Sequence, residues 1–276
     1  MNLRTNLTSC AFTLLELLVV IAIVATLAGV LLPALARGKQ KAKQVSELNA
    51  ARQLLFAWQI NADENEDSVL PGYSSQAEAQ DDLGNSLGSP IRDRYPWRLA
   101  SQLAENFRSI YVNESRRFLD EAENMSHADY VYRASLYPSL GYNSVFLGGD
   151  EQKFNPALAE ASYGAGWLTT KTSQIRRPAE LLAFASARAR PAGRDEPGYY
   201  VVHPPYLTKR QWSPAFQLSE APEKWGYVHP RWGRRAVAAM TDGHAEVLFD
   251  ADLQDMRHWA NTADRPDWTL THLSAP

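Results

Sequence analysis

Hydrophobic residues are concentrated in one continuous run near the start of the chain. Residues 12–36 contain a single charged side chain, Glu16, among apolar or small neutral residues. About 20 apolar residues are enough for a helix to cross a bilayer. The run therefore predicts one membrane-spanning helix at residues 12–36. A secretory signal peptide fits less well, because its apolar part is only about 7 to 15 residues long and its small residues follow that part.

The polar pattern changes after the apolar run. Basic residues at positions 37, 39, 41 and 43 are followed by apolar residues at spacings of three and four, which are Val45, Leu48, Ala51, Leu55 and Trp58. Such spacing is typical of an amphipathic helix that packs one face on a folded domain. We therefore expect one helix over residues 12–60, about 70 Å long at 1.5 Å per residue.

Residues 61–276 are expected to form one globular domain. Polar segments at 61–72 and 74–90 predict the end of the long helix and a surface loop, and residues 96–108 predict a second helix. Asp63, Asn65 and Asp67 imitate the start of a calcium-binding loop. Ser68 and Ser74, however, stand where that loop needs glycine and glutamate. A solvated helix end is the simpler interpretation.

The remainder of the chain favours strands. Apolar and aromatic segments between glycines and prolines predict strands at residues 181–185, 199–203, 236–240 and 245–249. The last two flank Asp242 and Gly243, a turn motif that favours a hairpin. The predicted fold is α+β, with a long N-terminal helix packed on a C-terminal antiparallel sheet.

Composition restricts the possible chemistry. The single cysteine, Cys10, excludes disulfides and cysteine metal clusters, and a net charge of -3 gives no general attraction for nucleic acid. The sequence contains no nucleophile elbow, phosphate loop or paired-histidine zinc motif. His229, Asp242 and His244 could converge on a metal, although the turn explains the last two more simply. We therefore expect no enzyme activity, no catalytic residue, no metal, no cofactor and no nucleic-acid partner.

The sequence at the start of the apolar run resembles a known processing site. The segment Ala11-Phe12-Thr13-Leu14-Leu15-Glu16-Leu17 is similar to the cleavage and methylation site of type IV prepilins and type II secretion pseudopilins, which usually have glycine in place of Ala11. The resemblance implies a leader at residues 1–11, cleavage between Ala11 and Phe12, and N-methylation of Phe12. Glu16 and Pro33 become the fifth and twenty-second residues of the mature chain, which match the family pattern.

The resemblance also implies a function in fibre assembly. Such proteins are held in the bacterial inner membrane by one helix, with the C-terminal domain in the periplasm, and then join a secretion pseudopilus or a pilus-like fibre. The implied partners are the prepilin peptidase, other pilin or pseudopilin subunits, the inner-membrane assembly platform and membrane lipid. Glu16 is the expected assembly contact, because a carboxylate in an apolar span is costly and the amine of a neighbouring Phe12 would neutralise it. Pro33 is expected to kink the helix, since it removes a backbone hydrogen bond.

A second similarity concerns the C-terminal part. Large prepilin-like proteins of planctomycetes and verrucomicrobia carry a histidine, nine residues and then Asp-Gly. This chain has the Asp242-Gly243 pair, but Trp232 stands at the position of that histidine and His229 lies three residues earlier. A metal or catalytic role is therefore not carried over to His229.

One alternative function stays open. A periplasmic binding protein or enzyme with a single membrane anchor would show the same apolar run.

The charges that flank the apolar run bear on its orientation in the membrane. Basic residues after the run outnumber those before it, which taken alone predicts the inverted topology. Long domains translocate largely regardless of flanking charge, so we expect the C-terminal domain outside the cytoplasm.

Overall fold

The long helix predicted from the hydrophobic pattern, α1, extends from Leu14 to Glu64. The computed structural model describes residues 13–193 and 195–272, without the side chains of Glu105 and Ala192. The chain divides into two compact units, the first ending at Lys43 and the second beginning at Gln44, so α1 contributes residues to both. It ends four residues beyond the expected position.

The first part of α1 has the length and composition of a membrane-spanning segment. Its most apolar 18-residue stretch has no buried residue, and every large apolar side chain between Leu14 and Leu35 is exposed. The core helix of a soluble protein would bury such a surface. Among the described residues, this is the one helix long and apolar enough to cross a membrane, a property that signal sequences near an N-terminus share.

The second part of α1, from Gln44 onward, packs through a face that matches the predicted one at Ala51, Leu55 and Trp58 but differs at its start. Val45 is exposed and Leu48 is only partly buried. The buried positions are Gln44, Glu47, Ala50, Ala51, Leu54, Leu55, Ala57, Trp58 and Ala62. The predicted stripe is therefore wrong at its start, because two polar residues occupy the buried face in the first turn of this part.

The sheet of the second unit has five strands in the order β3-β1-β2-β4-β5. The strands are β1 (Leu140–Asn143), β2 (Leu182–Ser186), β3 (Val201–Val202), β4 (Arg235–Met240) and β5 (Ala245–Phe249). All neighbouring pairs are antiparallel except β1 and β3, which are parallel. The expectation of a wholly antiparallel sheet is thus wrong, whereas the α+β class is confirmed. A long connection separates β1 from β3 and permits parallel pairing.

Both faces of the sheet are covered. Val237 and Ala239 of β4 point toward the core that contains Leu54 and Trp58 of α1. The alternate residues, Ala236 and Ala238, belong to a second core with Phe146, Trp225 and Trp259. Because side chains alternate between the faces of a strand, a strand buried on both faces lacks the polar alternation of a surface strand.

Helices occupy much of the region that the sequence pattern assigned to strands. The predicted helix at 96–108 is divided into α2 (Tyr95–Arg98), α3 (Ala100–Leu103) and a 3-10 segment (Ala104–Ile110), with Ala104 at φ 46°. It is followed by α4 (Glu114–Met125), α5 (His127–Leu136) and α6 (Pro156–Tyr163). Shorter 3-10 turns are Thr172–Gln174, Pro191–Gly193, Pro222–Trp225, Asp252–Gln254 and Met256–His258. The strand-rich interpretation of this region was wrong for α4, α5 and α6.

Candidate functional site

The first turn of α1 contains a reciprocal cap formed by Thr13 and Glu16. The Thr13 backbone N–H and hydroxyl donate to Glu16 Oε2 at 2.9 and 2.8 Å, and the Glu16 N–H donates to Thr13 Oγ1 at 3.2 Å. This is a capping box, which satisfies backbone donors that a helix N-terminus otherwise leaves unpaired. The carboxylate is therefore held at the start of the apolar helix and exposed there. Ala11 and Phe12, the predicted cleavage and methylation residues, lie outside the described residues.

Pro33 lies inside α1, and the helix continues through it. The proline ring cannot donate the backbone hydrogen bond that an interior helical residue normally makes. The kink expected at this position stays a prediction.

The turn motif Asp242-Gly243 connects β4 and β5, which form the predicted hairpin. Gly243 has φ 100°, a backbone conformation that favours glycine. The Asp242 Oδ1 accepts the His244 backbone N–H at 3.1 Å and lies 2.6 Å from His244 Nδ1. Partial burial alone would raise the pKa of Asp242, but the His244 backbone and imidazole lower it below its usual value. Both side chains are thus used to shape the turn.

His229 is not part of the same arrangement as Asp242 and His244. The backbone N–H of His229 donates to the carbonyl of Ser186, the last residue of β2. The backbone N–H of Asp242 donates to the carbonyl of Pro178, which precedes β2. The two residues therefore lie at opposite ends of that strand. Among the described residues, the metal ligand set considered from the sequence is not assembled.

His229 instead lines a cavity of about 390 Å³ between α4 and the loop around Asp195. Burial, reinforced by the charges of Arg231 and Arg188, lowers the pKa of His229 well below its usual range, so the imidazole is neutral. The Arg188 guanidinium is directed at protein groups: it donates to the Leu218 carbonyl at 3.0 Å and pairs with Asp195 at 3.3 Å. The cavity thus contains a neutral histidine and an arginine that already has partners.

A different group of side chains has metal-ligand chemistry. Ligand atoms of Asp81, Asp82 and His127 lie within 4.8 Å of one another. Asp81 is already satisfied, since it accepts the backbone N–H groups of Leu83 and Asn85 at 3.0 and 2.8 Å and contacts His127 Nε2 at 3.0 Å. The contact between Asp81 and His127 joins the 74–90 loop to the first turn of α5.

The segment that imitates a calcium loop is also used structurally. Asp67 accepts the Ser173 N–H at 3.1 Å and the Thr172 hydroxyl. Hydrogen bonds from the side chain and backbone of Ser173, together with the charge of Lys171, lower the pKa of Asp67. The acidic segment therefore fixes the chain after α1 to the loop at residues 171–173.

Sequence reasoning missed a buried carboxylate on α1, Glu47, whose side chain is 0% exposed. Its Oε1 accepts the Ser186 hydroxyl at 2.5 Å, and its Oε2 accepts the indole N–H of Trp232 at 3.1 Å. Ser186 Oγ in turn accepts the Val237 N–H at 2.9 Å, and the Arg231 Nε lies 4.0 Å from Glu47. Trp232 thus holds this helix through Glu47. The signal in the sequence was the pair of polar residues at positions 44 and 47, which lie on the same helical face as the buried apolar residues.

Comparison with known proteins adds no assignment. No protein-family model, no curated protein and no solved structure matches this chain. The arrangement that remains as the candidate functional site is the exposed apolar part of α1, with its capped carboxylate at one end and basic residues at the other.

Proposed function

We propose that this chain is a prepilin-like or pseudopilin-like subunit that is cleaved before Phe12 and assembled through α1 into a fibre. The observation that carries the proposal is the segment from Ala11 to Leu17, which places Glu16 five residues after the cleavage point at the start of an exposed apolar helix. In the proposed fibre, the inner-membrane subunits exchange the bilayer for contacts between apolar helices. The prepilin peptidase and an assembly platform are the further partners required.

The capping box gives the proposed assembly contact a defined starting geometry. Glu16 Oε2 accepts both Thr13 donors, so the side chain is positioned before any partner arrives. A carboxylate can accept further hydrogen bonds. The methylated amine of a neighbouring Phe12 could therefore approach Glu16 without displacing the cap, and the opposite charges would fix the register between helices. Packing of apolar faces alone specifies register poorly.

The experiment follows the N-terminus and the fibre in the same cells. With an active prepilin peptidase, mass spectrometry should find a methylated Phe12 at the start of the mature chain, and Ala11→Gly should be cleaved at least as completely. Glu16→Gln keeps the side-chain shape but removes the charge. We expect this variant to be cleaved and inserted normally while its share in sheared fibres falls at least tenfold relative to its share in the membrane.

Thr13→Val separates assembly from simple helix capping. It removes the hydroxyl half of the capping box but keeps the charge of Glu16. We expect Thr13→Val to retain most of its incorporation if the charge is the assembly contact. If Glu16→Gln and Thr13→Val lower incorporation by equal, small amounts, Glu16 acts only as a helix cap. An N-terminus that stays uncleaved in both the wild type and Ala11→Gly would contradict the prepilin function itself.

The 390 Å³ cavity beside His229 favours a second candidate, a binding protein with one membrane anchor. In that case α1 is only an anchor. Glu16→Gln would then leave membrane insertion and ligand binding unchanged, whereas His229→Leu would change ligand binding in the cavity.

A further inference from the structure

The cations that follow the apolar segment on α1, here called the basic collar, are Arg37, Lys39, Lys41 and Lys43. Arg37, Lys39 and Lys41 are exposed, and Lys43 is partly exposed. All four belong to the first compact unit together with the apolar segment. No acidic residue lies between Arg37 and Lys43, so these four cations form one basic segment of the sequence.

The position of the collar along the helix is set by helix geometry. At 1.5 Å per residue, residues 14–36 extend about 34 Å, close to the roughly 30 Å of a bilayer's hydrocarbon core. The next seven residues extend about 10 Å, so they begin within the polar headgroup layer, which is about 5 to 8 Å thick on each side of the membrane. Because α1 is continuous from Leu14 to Glu64, insertion of the apolar segment brings the collar to the headgroups.

The arrangement of the cations around the helix identifies the kind of partner. Successive residues are rotated by about 100°, so Arg37 and Lys41 form one row and Lys39 and Lys43 form another on roughly the opposite side. A partner protein packed against the helix would meet only one row. The headgroup layer surrounds the helix and meets both. Lysine and arginine can also keep their aliphatic stems on apolar surface while the charge reaches the phosphates.

We propose that the basic collar binds anionic phospholipid headgroups, such as phosphatidylglycerol, at the C-terminal end of the apolar segment. The collar gathers these lipids around the helix and opposes its withdrawal from the bilayer. The proposal depends on membrane insertion of α1 and not on cleavage or fibre assembly. It also accounts for four cations next to a domain that we expect outside the cytoplasm.

The test uses the full chain in nanodiscs of equal phosphatidylglycerol and phosphatidylcholine. Native mass spectrometry then measures the ratio of the two lipids retained by the protein. We expect about a fivefold preference for phosphatidylglycerol, decreasing with ionic strength. Replacing all four collar residues by Gln should abolish the preference. A matched control replaces Arg116, Arg117, Lys209 and Lys224 by Gln, which changes the net charge equally in the second unit and should leave the preference intact.

Two paired variants test the geometry of the collar. Arg37→Gln with Lys41→Gln, and Lys39→Gln with Lys43→Gln, should each remove a comparable part of the preference. If one pair of substitutions removes the whole lipid preference, only one row of cations binds lipid. Binding by cations on both sides of the helix is then contradicted. Equal lipid ratios for the wild type and the fourfold variant would overturn the proposal, as would a failure of α1 to insert. Inorganic phosphate should reduce the preference no more than chloride of the same ionic strength, because the ligand is the lipid surface.

Discussion

At the scale of single residues, two glutamates on one helix have opposite environments. Glu16 is exposed at the start of α1 and shares hydrogen bonds with Thr13, three residues away. Glu47 is fully buried, and its partners Ser186 and Trp232 are more than a hundred residues away in the sequence. The first carboxylate is positioned by its own helix. The second joins the helix to the sheet and fixes how the two pack.

We predict that Glu47→Ala strongly destabilises the second unit. The substitution leaves the Ser186 hydroxyl, the Trp232 indole N–H and the nearby Arg231 charge without their buried acceptor. Breaking a buried charged interaction in this way typically costs about 3 to 5 kcal/mol. Urea unfolding of the full chain in detergent, followed by tryptophan fluorescence, measures the change in the free energy of unfolding.

Two further variants make the prediction about Glu47 specific. Glu47→Gln keeps an acceptor and should cost clearly less than Glu47→Ala. Ser46→Ala changes the exposed neighbour on the same helix and should alter stability by less than about 0.5 kcal/mol. Equal stability of Glu47→Ala and Ser46→Ala would show that the buried carboxylate contributes nothing to the packing of α1.

At the scale of elements, α1 belongs to two different environments along its length. Up to Lys43 its apolar side chains are exposed, and from Gln44 its inner face carries part of the core, including Leu54, Leu55 and Trp58. The Trp58 indole N–H donates to the Tyr142 hydroxyl at 3.2 Å, which ties the helix to β1. The globular part of the protein therefore includes the second half of α1.

We predict that a fragment of residues 44–276 is soluble and cooperatively folded, whereas a fragment of residues 65–276 is not. The shorter fragment lacks the helix that covers one face of the sheet, and a single buried leucine already contributes roughly 2 to 5 kcal/mol. Circular dichroism melting curves of both fragments provide the measurement. A cooperative transition in the shorter fragment at a similar temperature would contradict this role of α1.

At the scale of the whole molecule, the sequence presents two conflicting signals for orientation. The basic collar favours a cytoplasmic position, whereas the proposed cleavage and assembly require the second unit in the periplasm. In the proposed orientation, lipid binding by the collar would provide a use for these charges on the periplasmic side. We expect export of the large domain, and not the flanking charge, to decide the orientation.

We predict that alkaline phosphatase fused after Ser74 is active in bacterial cells, because this enzyme matures outside the cytoplasm. A cytoplasmic reporter at the same site should be inactive, and both fusions should be present in equal amounts on immunoblots. The reverse pattern would show that the collar determines an inverted topology, which is incompatible with assembly of the second unit into an external fibre.

Local chemistry determined the features that were correctly predicted from the sequence. The apolar part of α1 depends only on composition over a length that matches a bilayer, and the hairpin depends on Asp242 and Gly243 between two apolar segments. The start of α5 was equally local, since Ser126 accepts the Asp129 N–H at 3.0 Å, but this capping signal was overlooked among aromatic residues. The resemblance at residues 11–17 is also carried by contiguous residues, and the processing and function that it implies stay predictions.

Only the tertiary structure decided the features that depend on distant residues. Parallel pairing of β1 with β3 joins Tyr142 to Val201, and no short-range pattern specifies that partner. Burial of Glu47 required Ser186 and Trp232 to reach it from two other segments. A helical periodicity based on hydrophobicity treats a glutamate at this position as a break in the apolar face. Separation of His229 from Asp242 depended on the length and direction of β2. In each case the free energy comes from contacts that exist only after the chain has folded.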